Sequence, residues 1–521
     1  MYNPAQPYPS QRAPVAAENL VATSAPLATQ AGLAALMRGG NAVDAALASA
    51  ITLTVVEPNN NGIGSDAFCI LWDGKALVGL NASGCAPAAW DLQHFAGLSA
   101  MPELGWDSVT VPGAVSAWAM LSRRFGRLPF ADLFVDAIRY ARDGFLVGPK
   151  TAFYWQLLEQ RYAGFPDFSA HFLPAPSAGQ RFRRPDLVRT LERIAASEGQ
   201  DFYHGELADN IDAAARRDGG LLRKSDLEAH EAFWVTPVQQ DYRGVTLHEI
   251  PPNGQGLAAQ IALGILQHLP LQPVDSELWL HYQIEAMKIA VRAAQDHFAD
   301  ARAMSLTPAE LLAPGSLEAA AQSITATASA LPPAALPMSA DTVYLTAADA
   351  SGMMVSFIQS NYVAFGSGVV IPGTGIALQN RGAGFSLDPG HPNCVAPGKR
   401  PFHTIIPGFV TRNGGPEMSF GVMGGHMQHQ GHVQMVTRIF DHGQNPQAAS
   451  DAPRWHVDEN FSVALESGFS PELHKALAAR GHQIIAGARE STFGGAQLIQ
   501  KTSDGYVGGS DHRKEGYVAG F

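Results

Sequence analysis

About two-thirds of the way along the chain the sequence changes character within a few residues, and that change limits what it can fold into. Residues 317–338 are small, punctuated by proline and nearly uncharged. Ser339-Ala340-Asp341-Thr342-Val343-Tyr344-Leu345 then opens a run of the β-branched and aromatic residues that strands favour. The stretch from about Val111 to Leu312 reads as mainly helical with Gly/Pro breaks, including Ser276–Val291 and Arg292–Arg302, whereas strands dominate beyond Thr342. A low-complexity segment between two such halves is expected to be exposed, mobile and open to chain cleavage, and the reading extends it from 317 to 341. A cut between Asp341 and Thr342 would make Thr342 an N-terminus. One residue would then hold both a nucleophilic hydroxyl and its base, because a free α-amine with a pKa of roughly 7.7–8.0 accepts the proton near neutrality. Most strands that begin with threonine are only strands, so the neighbouring residues must carry the case.

The first neighbour is a hairpin. Val343–Ala348 and Met353–Ser360 flank Asp349-Ala350-Ser351-Gly352. A three-residue loop ending in a left-handed glycine pairs Asp349 with Met353 and sets Thr342 opposite Ser360 on one face. A two-residue loop would bring Gln359 there instead, since one step of register exchanges the faces. Gly352, standing where a positive φ is wanted, favours the first.

At the other end of the chain, Leu27–Arg38 has helical periodicity and Gly39-Gly40 stop it. Asn41 caps a second helix from Ala42 to about Val55, with Pro58 beyond it. The turn-rich Asn59-Asn60-Asn61-Gly62-Ile63-Gly64 leads into a strand, Ala67–Trp72, which Asp73-Gly74 turns back towards Leu77–Leu80.

Composition narrows the function classes. With 521 residues, 46% apolar and 16% charged, the chain buries a large core in two domains or one multilayer domain. A net charge of −12 and the lack of a long basic run argue against nucleic-acid binding. The first residues, Met1 to Pro7, show no basic region followed by an apolar core, and the run Ala45–Val56 is too short to span a bilayer. Cys69, Cys85 and Cys394 are widely spaced and match no metal pattern. Reduced thiols in a cytoplasmic protein are expected.

Three polar clusters remain. Gly424-Gly425 follows an apolar, strand-like stretch, and is either a tight turn or a pair of backbone N–H groups aimed at one point, as an oxyanion hole requires. His426, His429 and His432 recur every three residues, which spreads them around a helix rather than converging them, so no metal is expected. Pro397-Gly398-Lys399-Arg400-Pro401-Phe402-His403-Thr404 is either a loop whose cations satisfy carbonyls and carboxylates or a substrate-contact loop with His and Thr donors. Motifs of serine hydrolases, phosphate loops and dinucleotide folds are missing from the sequence. Gly366-Ser367-Gly368 and Pro372-Gly373-Thr374-Gly375 read as turns between strands.

Taken together, these pieces resemble the γ-glutamyltranspeptidase family of N-terminal-nucleophile hydrolases. The matching residues run from Gly39-Gly40-Asn41-Ala42-Val43-Asp44-Ala45-Ala46 through Val56-Glu57-Pro58, Gly62-Ile63-Gly64 and Val111-Pro112-Gly113. They continue in Asp349, Phe365-Gly366-Ser367-Gly368, Pro397–Pro401, Gly424-Gly425 and Ser510-Asp511-His512-Arg513. The resemblance implies an α+β, four-layer αββα fold and self-cleavage before Thr342 into entwined subunits, 1–341 and 342–521. It also implies Thr342 as nucleophile, Ser360 as the supporting hydroxyl, Gly424 and Gly425 as the oxyanion hole, and no cofactor.

Departures from the family pattern bear on substrate. Ala86-Pro87-Ala88 is followed by Ala89, Trp90, Asp91 and Leu92, with no arginine for an α-carboxylate. The acid that holds an α-amine aligns with Gly384 and its upstream glutamine with Arg381. A serine pair becomes His403-Thr404 and an asparagine becomes Tyr362. The altered pocket resembles a cytosolic branch of the family that acts on oxamate in purine (oxalurate) breakdown. It implies an amidase releasing oxalate and ammonia, with Arg381, His403, Thr404 and Tyr362 binding the carboxylate. Two other readings stand beside it: a γ-glutamyl or other acyl-amide hydrolase or transferase, and a non-catalytic binding protein on the same scaffold.

Overall fold

The computed structural model describes residues 11–329 and 342–521. Its centre is a pair of antiparallel seven-stranded sheets. One sheet orders Tyr517–Gly520, Leu20–Thr23, Val343–Ala348, Met354–Ser360, Asp66–Trp72, Leu77–Ala82 and Phe233–Val235. The other orders Val15–Ala17, Tyr506–Ser510, Gly495–Lys501, Gly415–Met423, Gly408–Arg412, Val245–Glu249 and Val238–Tyr242. Both sheets therefore interleave strands from before and after Thr342.

Side-chain alternation explains the layers. Along the strand that follows Thr342, Tyr344 and Ala348 pack between the sheets with Phe68, Ile70, Met354 and Ile358 and with Phe409, Met423 and Ile499 of the facing sheet. Val343, Leu345 and Ala347 point the other way, into a core shared with the helices Pro26–Met37, Ala42–Val56 and Ala114–Phe125. On the far side, Val410, Met418, Phe420 and Val422 meet the helices Gly256–Leu266, Glu277–His297 and Gln428–Val436. A strand covered on both faces has to be apolar in both registers, which is why Val343–Ala348 reads as a continuous run. The result is the four-layer αββα fold.

Asn41 caps Ala42–Val56 as expected, accepting from the backbone N–H of Val43 and Asp44, while the Asp44 carboxylate closes a capping box. A second carboxylate, on Asp349, also accepts from the Ala42 N–H at 2.7 Å, so the loop of the Thr342 hairpin is pinned to a helix N-terminus. In that hairpin the Asp349 N–H donates to Met353 O at 3.1 Å, Gly352 has φ +92, and Val343 pairs with Gln359. The three-residue loop is the one adopted.

Three expectations need correction. Helix Glu277–His297 is continuous, and Phe298 turns extended, so Arg292–Arg302 is not a helix of its own. The helical middle also contributes three strands: Phe233–Val235 and Val238–Tyr242 at sheet edges, and Val245–Glu249 one place inside the second sheet. The mobile stretch expected from 317 starts as helix Pro314–Ser323, with Leu317 and Ala321 buried against Gly256–Leu266. The next residues are docked as well: Arg480 donates to Ala326 O at 2.7 Å and its carbonyl accepts from Ala328 N. Asp341 and the rest of the expected linker, 330–341, lie outside the described residues.

Candidate active site

Thr342 stands at the start of its strand, fully buried. Continuing the pairing of Val343 with Gln359 sets it beside Ser360, and Ser360 pairs on its other side with Asp66. Cross-strand partners share a face, so Thr342, Ser360 and Asp66 form a row facing the opposite sheet. Thr342 Oγ1 donates to Ser360 Oγ at 3.1 Å and accepts from Gln428 Nε2 at 3.4 Å. Ser360 Oγ also accepts from the Tyr362 N–H at 2.8 Å. That bond helps hold Tyr362 at φ +77, a left-handed conformation costing a bulky residue about 1–3 kcal/mol.

From the facing sheet, Gly415–Met423 delivers Gly424 and Gly425 at φ +126 and +59. A Cβ on Gly424 would come within 2.9 Å of the Gly494 backbone, so the turn requires glycine in conformation and in space. Gln255 fixes the turn from behind: its Nε2 donates to Gly425 O at 2.9 Å and also to Thr404 O, while its Oε1 accepts from His429 Nδ1 at 2.9 Å. Gln428, three residues beyond Gly425, accepts from the Ile406 N–H and so ties the loop after His403-Thr404 to Thr342.

Tyr362, Arg381, His403 and Thr404 come together behind this row, all buried. The Arg381 guanidinium lies over the Tyr362 ring at 4.3 Å, and its Nη1 donates to Thr404 Oγ1 at 2.7 Å. Its Nε and Nη2, and the Tyr362 hydroxyl, have no partner among the described residues. Burial pulls the Arg381 pKa down to about 10, which leaves it charged at neutral pH. Burial and the neighbouring Arg381 charge hold His403 well below its ordinary range, so the ring is neutral. Its Nδ1 accepts from Ile405 N, and its Nε2 donates to Asp66 Oδ2 at 3.0 Å. Asp66 also accepts from the N–H groups of Gly84 and Gly113. Burial pushes its carboxyl up to about 7 against the opposing pull of Arg381. The site thus offers a hydroxyl between hydrogen-bond partners, a glycine turn on the facing sheet, and a buried cation with two unpartnered nitrogens.

The remaining clusters separate by role. Lys399 donates to the carbonyls of Pro392 and Cys394, and Arg400 donates to Ser83 O at 3.0 Å and Glu231 O at 3.3 Å. Those two cations hold loops, while His403 and Thr404 of the same motif join the pocket. His426 lies parallel to Phe402, His429 binds Gln255, and His432 donates to Glu249 at 2.6 Å, so each imidazole has a different partner. A different cluster, His281, Glu285 and His482, has ligand-type atoms within 4.8 Å of one another. Lys288 already supplies its cation, 2.9 Å from Glu285 and 3.2 Å from His482. Asp66, Gln255 and Gln428 were not singled out in the sequence. Only Asp66 and Gln428 carried a signal, the first two residues after Gly62-Ile63-Gly64 and the second one turn after Gly424-Gly425.

The sequence pattern that defines γ-glutamyltranspeptidases matches residues 28–521. The chain belongs to that family. It is 37% identical over 513 residues to the oxamate amidohydrolase proenzyme of Klebsiella pneumoniae, covering 95% of this chain and 97% of the relative. It is 34% identical over 515 residues to the glutathione hydrolase-like YwrD proenzyme of Bacillus subtilis, again with 95% and 97% covered. The crystal structure of a cephalosporin acylase from Bacillus halodurans superposes with a TM-score of 0.96 at 46% identity, covering 100% of this chain and 99% of that one. As a γ-glutamyltranspeptidase-family protein with the αββα fold, the chain is an enzyme of the amide-hydrolysing class.

Within that family the departures have physical grounds. A Cβ at Gly384 would stand 2.8 Å from Phe402 O, so an acidic side chain where an ammonium clamp is expected requires the Phe402 backbone to shift. Trp90, in the stretch where a carboxylate-binding arginine is expected, is fully buried against Gly382. Among the described residues no helix is long and apolar enough to cross a membrane.

Proposed function

We propose that this protein is a self-processing amidohydrolase of compact anionic amides, with oxamate, cleaved to oxalate and ammonia, as the leading substrate. Cleavage before Thr342 would give chains 1–341 and 342–521 and free the Thr342 amine. That amine takes the hydroxyl proton as Oγ1 attacks the amide carbonyl, and Ser360 and Gln428 aim the hydroxyl. The N–H groups of Gly424 and Gly425 receive the oxyanion. The C–N bond breaks, ammonia leaves with the proton, and water hydrolyses the acyl-threonine ester.

The observation that carries the reading is Arg381: a buried guanidinium with two unpartnered nitrogens, braced by Thr404 and the Tyr362 ring. A buried cation of this kind favours a carboxylate bound through two hydrogen bonds. The crowding at Gly384 supports a substrate without an α-amine. The relative that acts on oxamate supports the same choice. A cytoplasmic setting in purine-nitrogen recovery belongs to this proposal, and the three free cysteines are consistent with reducing surroundings.

The test is ammonia release from oxamate by the self-cleaved protein beside Thr342→Ala. Release by wild type, with the variant inactive and a single chain on a denaturing gel, is the expected result. Two chains from Thr342→Ala would overturn the processing mechanism, and silence from fully cleaved wild type would overturn the substrate. A second reading, hydrolysis of a larger acyl amide, is favoured by the cavity beside Gly424 and by the acylase relatives.

A further inference from the structure

A cavity of about 340 Å³ opens beside the glycine turn, with Gly424 in its wall. One water takes up only about 30 Å³, and cavities of roughly 300 Å³ and above hold ligands far larger than oxamate. The cavity is tied to the anion pocket through hydrogen bonds: Arg381 to Thr404, Thr404 O to Gln255, and Gln255 to Gly425 O. Gln255 itself lines it.

Geometry assigns the direction. The reacting carbon of an amide carries three groups in one plane. With an attached carboxylate at Arg381 and the carbonyl oxygen at Gly424-Gly425, the third group, the amide nitrogen, faces what space remains. Gly424 belongs both to that turn and to the cavity wall, so the cavity adjoins the turn on which the carbonyl is held.

Its lining states the chemistry. Val291, Ala294, Phe402 and Val457 supply apolar surface. Phe402 and His426, both in its wall, lie within 8° of parallel with ring centroids 6.1 Å apart. Burial holds His429 well below its ordinary range and brings His456 down to about 4, so both rings are uncharged at neutral pH. Asp458 and Glu459 also border the cavity, a poor surrounding for a second anion.

We propose that this cavity receives a flat, uncharged, apolar substituent on the amide nitrogen, so that N-aryl amides of a short oxo-acid are better substrates than the unsubstituted amide. The proposal rests on the Arg381 reading above for the position of the carboxylate. The chemistry is unchanged: Thr342 Oγ1 bonds to the carbonyl carbon, the C–N bond breaks, the arylamine leaves with the proton, and water cleaves the ester.

Three amides separate the possibilities: oxamate, its N-phenyl derivative, and acetanilide, which keeps the ring and lacks the carboxylate. The expected result is a kcat/KM for N-phenyloxamate at least about tenfold above that for oxamate, the scale of burying one small apolar group. In Ala294→Trp, which fills the cavity, that ratio should fall to one or below. Ala294→Leu is the milder companion, and appearance of two chains on a gel verifies that each variant folds. Oxamate cleaved as well as its N-phenyl derivative, or a ratio unmoved by both fillings, overturns the inference and leaves the Arg381 reading standing. Acetanilide cleaved as well as N-phenyloxamate overturns the carboxylate reading and leaves the apolar subsite. No cleavage of any amide by fully processed protein overturns both.

Discussion

Asp66 shows how much one buried carboxyl can govern. Its ordinary pKa of 3.8 is raised to about 7 because burial penalises the charged form more than Arg381 and two backbone N–H groups favour it. Between pH of about 4 and 7 the folded protein therefore keeps a proton that the unfolded chain has lost. The stability linked to Asp66 is fully present below about pH 4 and is lost as pH rises through about 7. The same titration reaches the substrate. With Arg381 holding the substrate carboxylate as proposed, the neutral Asp66 carboxyl below pH 7 would leave that charge free for it, and above pH 7 the Asp66 anion would compete. KM for an anionic amide should thus rise several-fold, up to about tenfold, between pH 6 and pH 8. Asp66→Asn should flatten that rise, while kcat continues to follow the Thr342 amine. A KM profile identical in wild type and Asp66→Asn would exclude this role.

At the scale of elements, the turn after Gly415–Met423 is the most exacting piece of backbone near the site. Gly424→Ala meets two obstacles, a φ of +126 and a 2.9 Å approach to Gly494. The turn should shift and take its N–H away from the oxyanion. The expected loss is about 10²–10³ in kcat with little change in KM, the pattern of an interaction made only in the transition state. Steady-state kinetics on fully processed Gly424→Ala would decide it, and an unchanged kcat would mean that the turn is structural. The hairpin of Thr342 is the opposite case, an element whose geometry was readable. Gly352 at the loop end and the alternation of Val343–Ala348 gave its register, and Thr342 stands beside Ser360 accordingly.

For the molecule as a whole, the decisive property is that neither half owns a sheet. Val343–Ala348 sits between Leu20–Thr23 and Met354–Ser360, and Met354–Ser360 in turn pairs with Asp66–Trp72. In the other sheet Gly408–Arg412 pairs with Val245–Glu249. A nick before Thr342 breaks one bond and leaves all these ladders intact. Processed protein should therefore elute as a single species in native buffer and release its two chains only in denaturant. A small chain that elutes alone without denaturant would contradict the interleaving.

What the sequence determined by itself was local or repetitive. It supplied the Asn41 cap, the hairpin loop, the glycine pair, the strand pattern after Thr342 and a set of ordered motifs, because each depends on residues within a few positions of one another. Tertiary structure decided the rest. Asp66 reaches Ser360 through a strand pairing that spans nearly three hundred residues, and Gln255 reaches Gly425 across 170. Lys399 and Arg400 turned out to hold loops while Arg381 stayed without partners on two nitrogens, though nothing in their residue type separates them. Which cation is used up and which is left for a ligand depends on the carbonyls that packing brings within reach, and only the folded chain sets those distances.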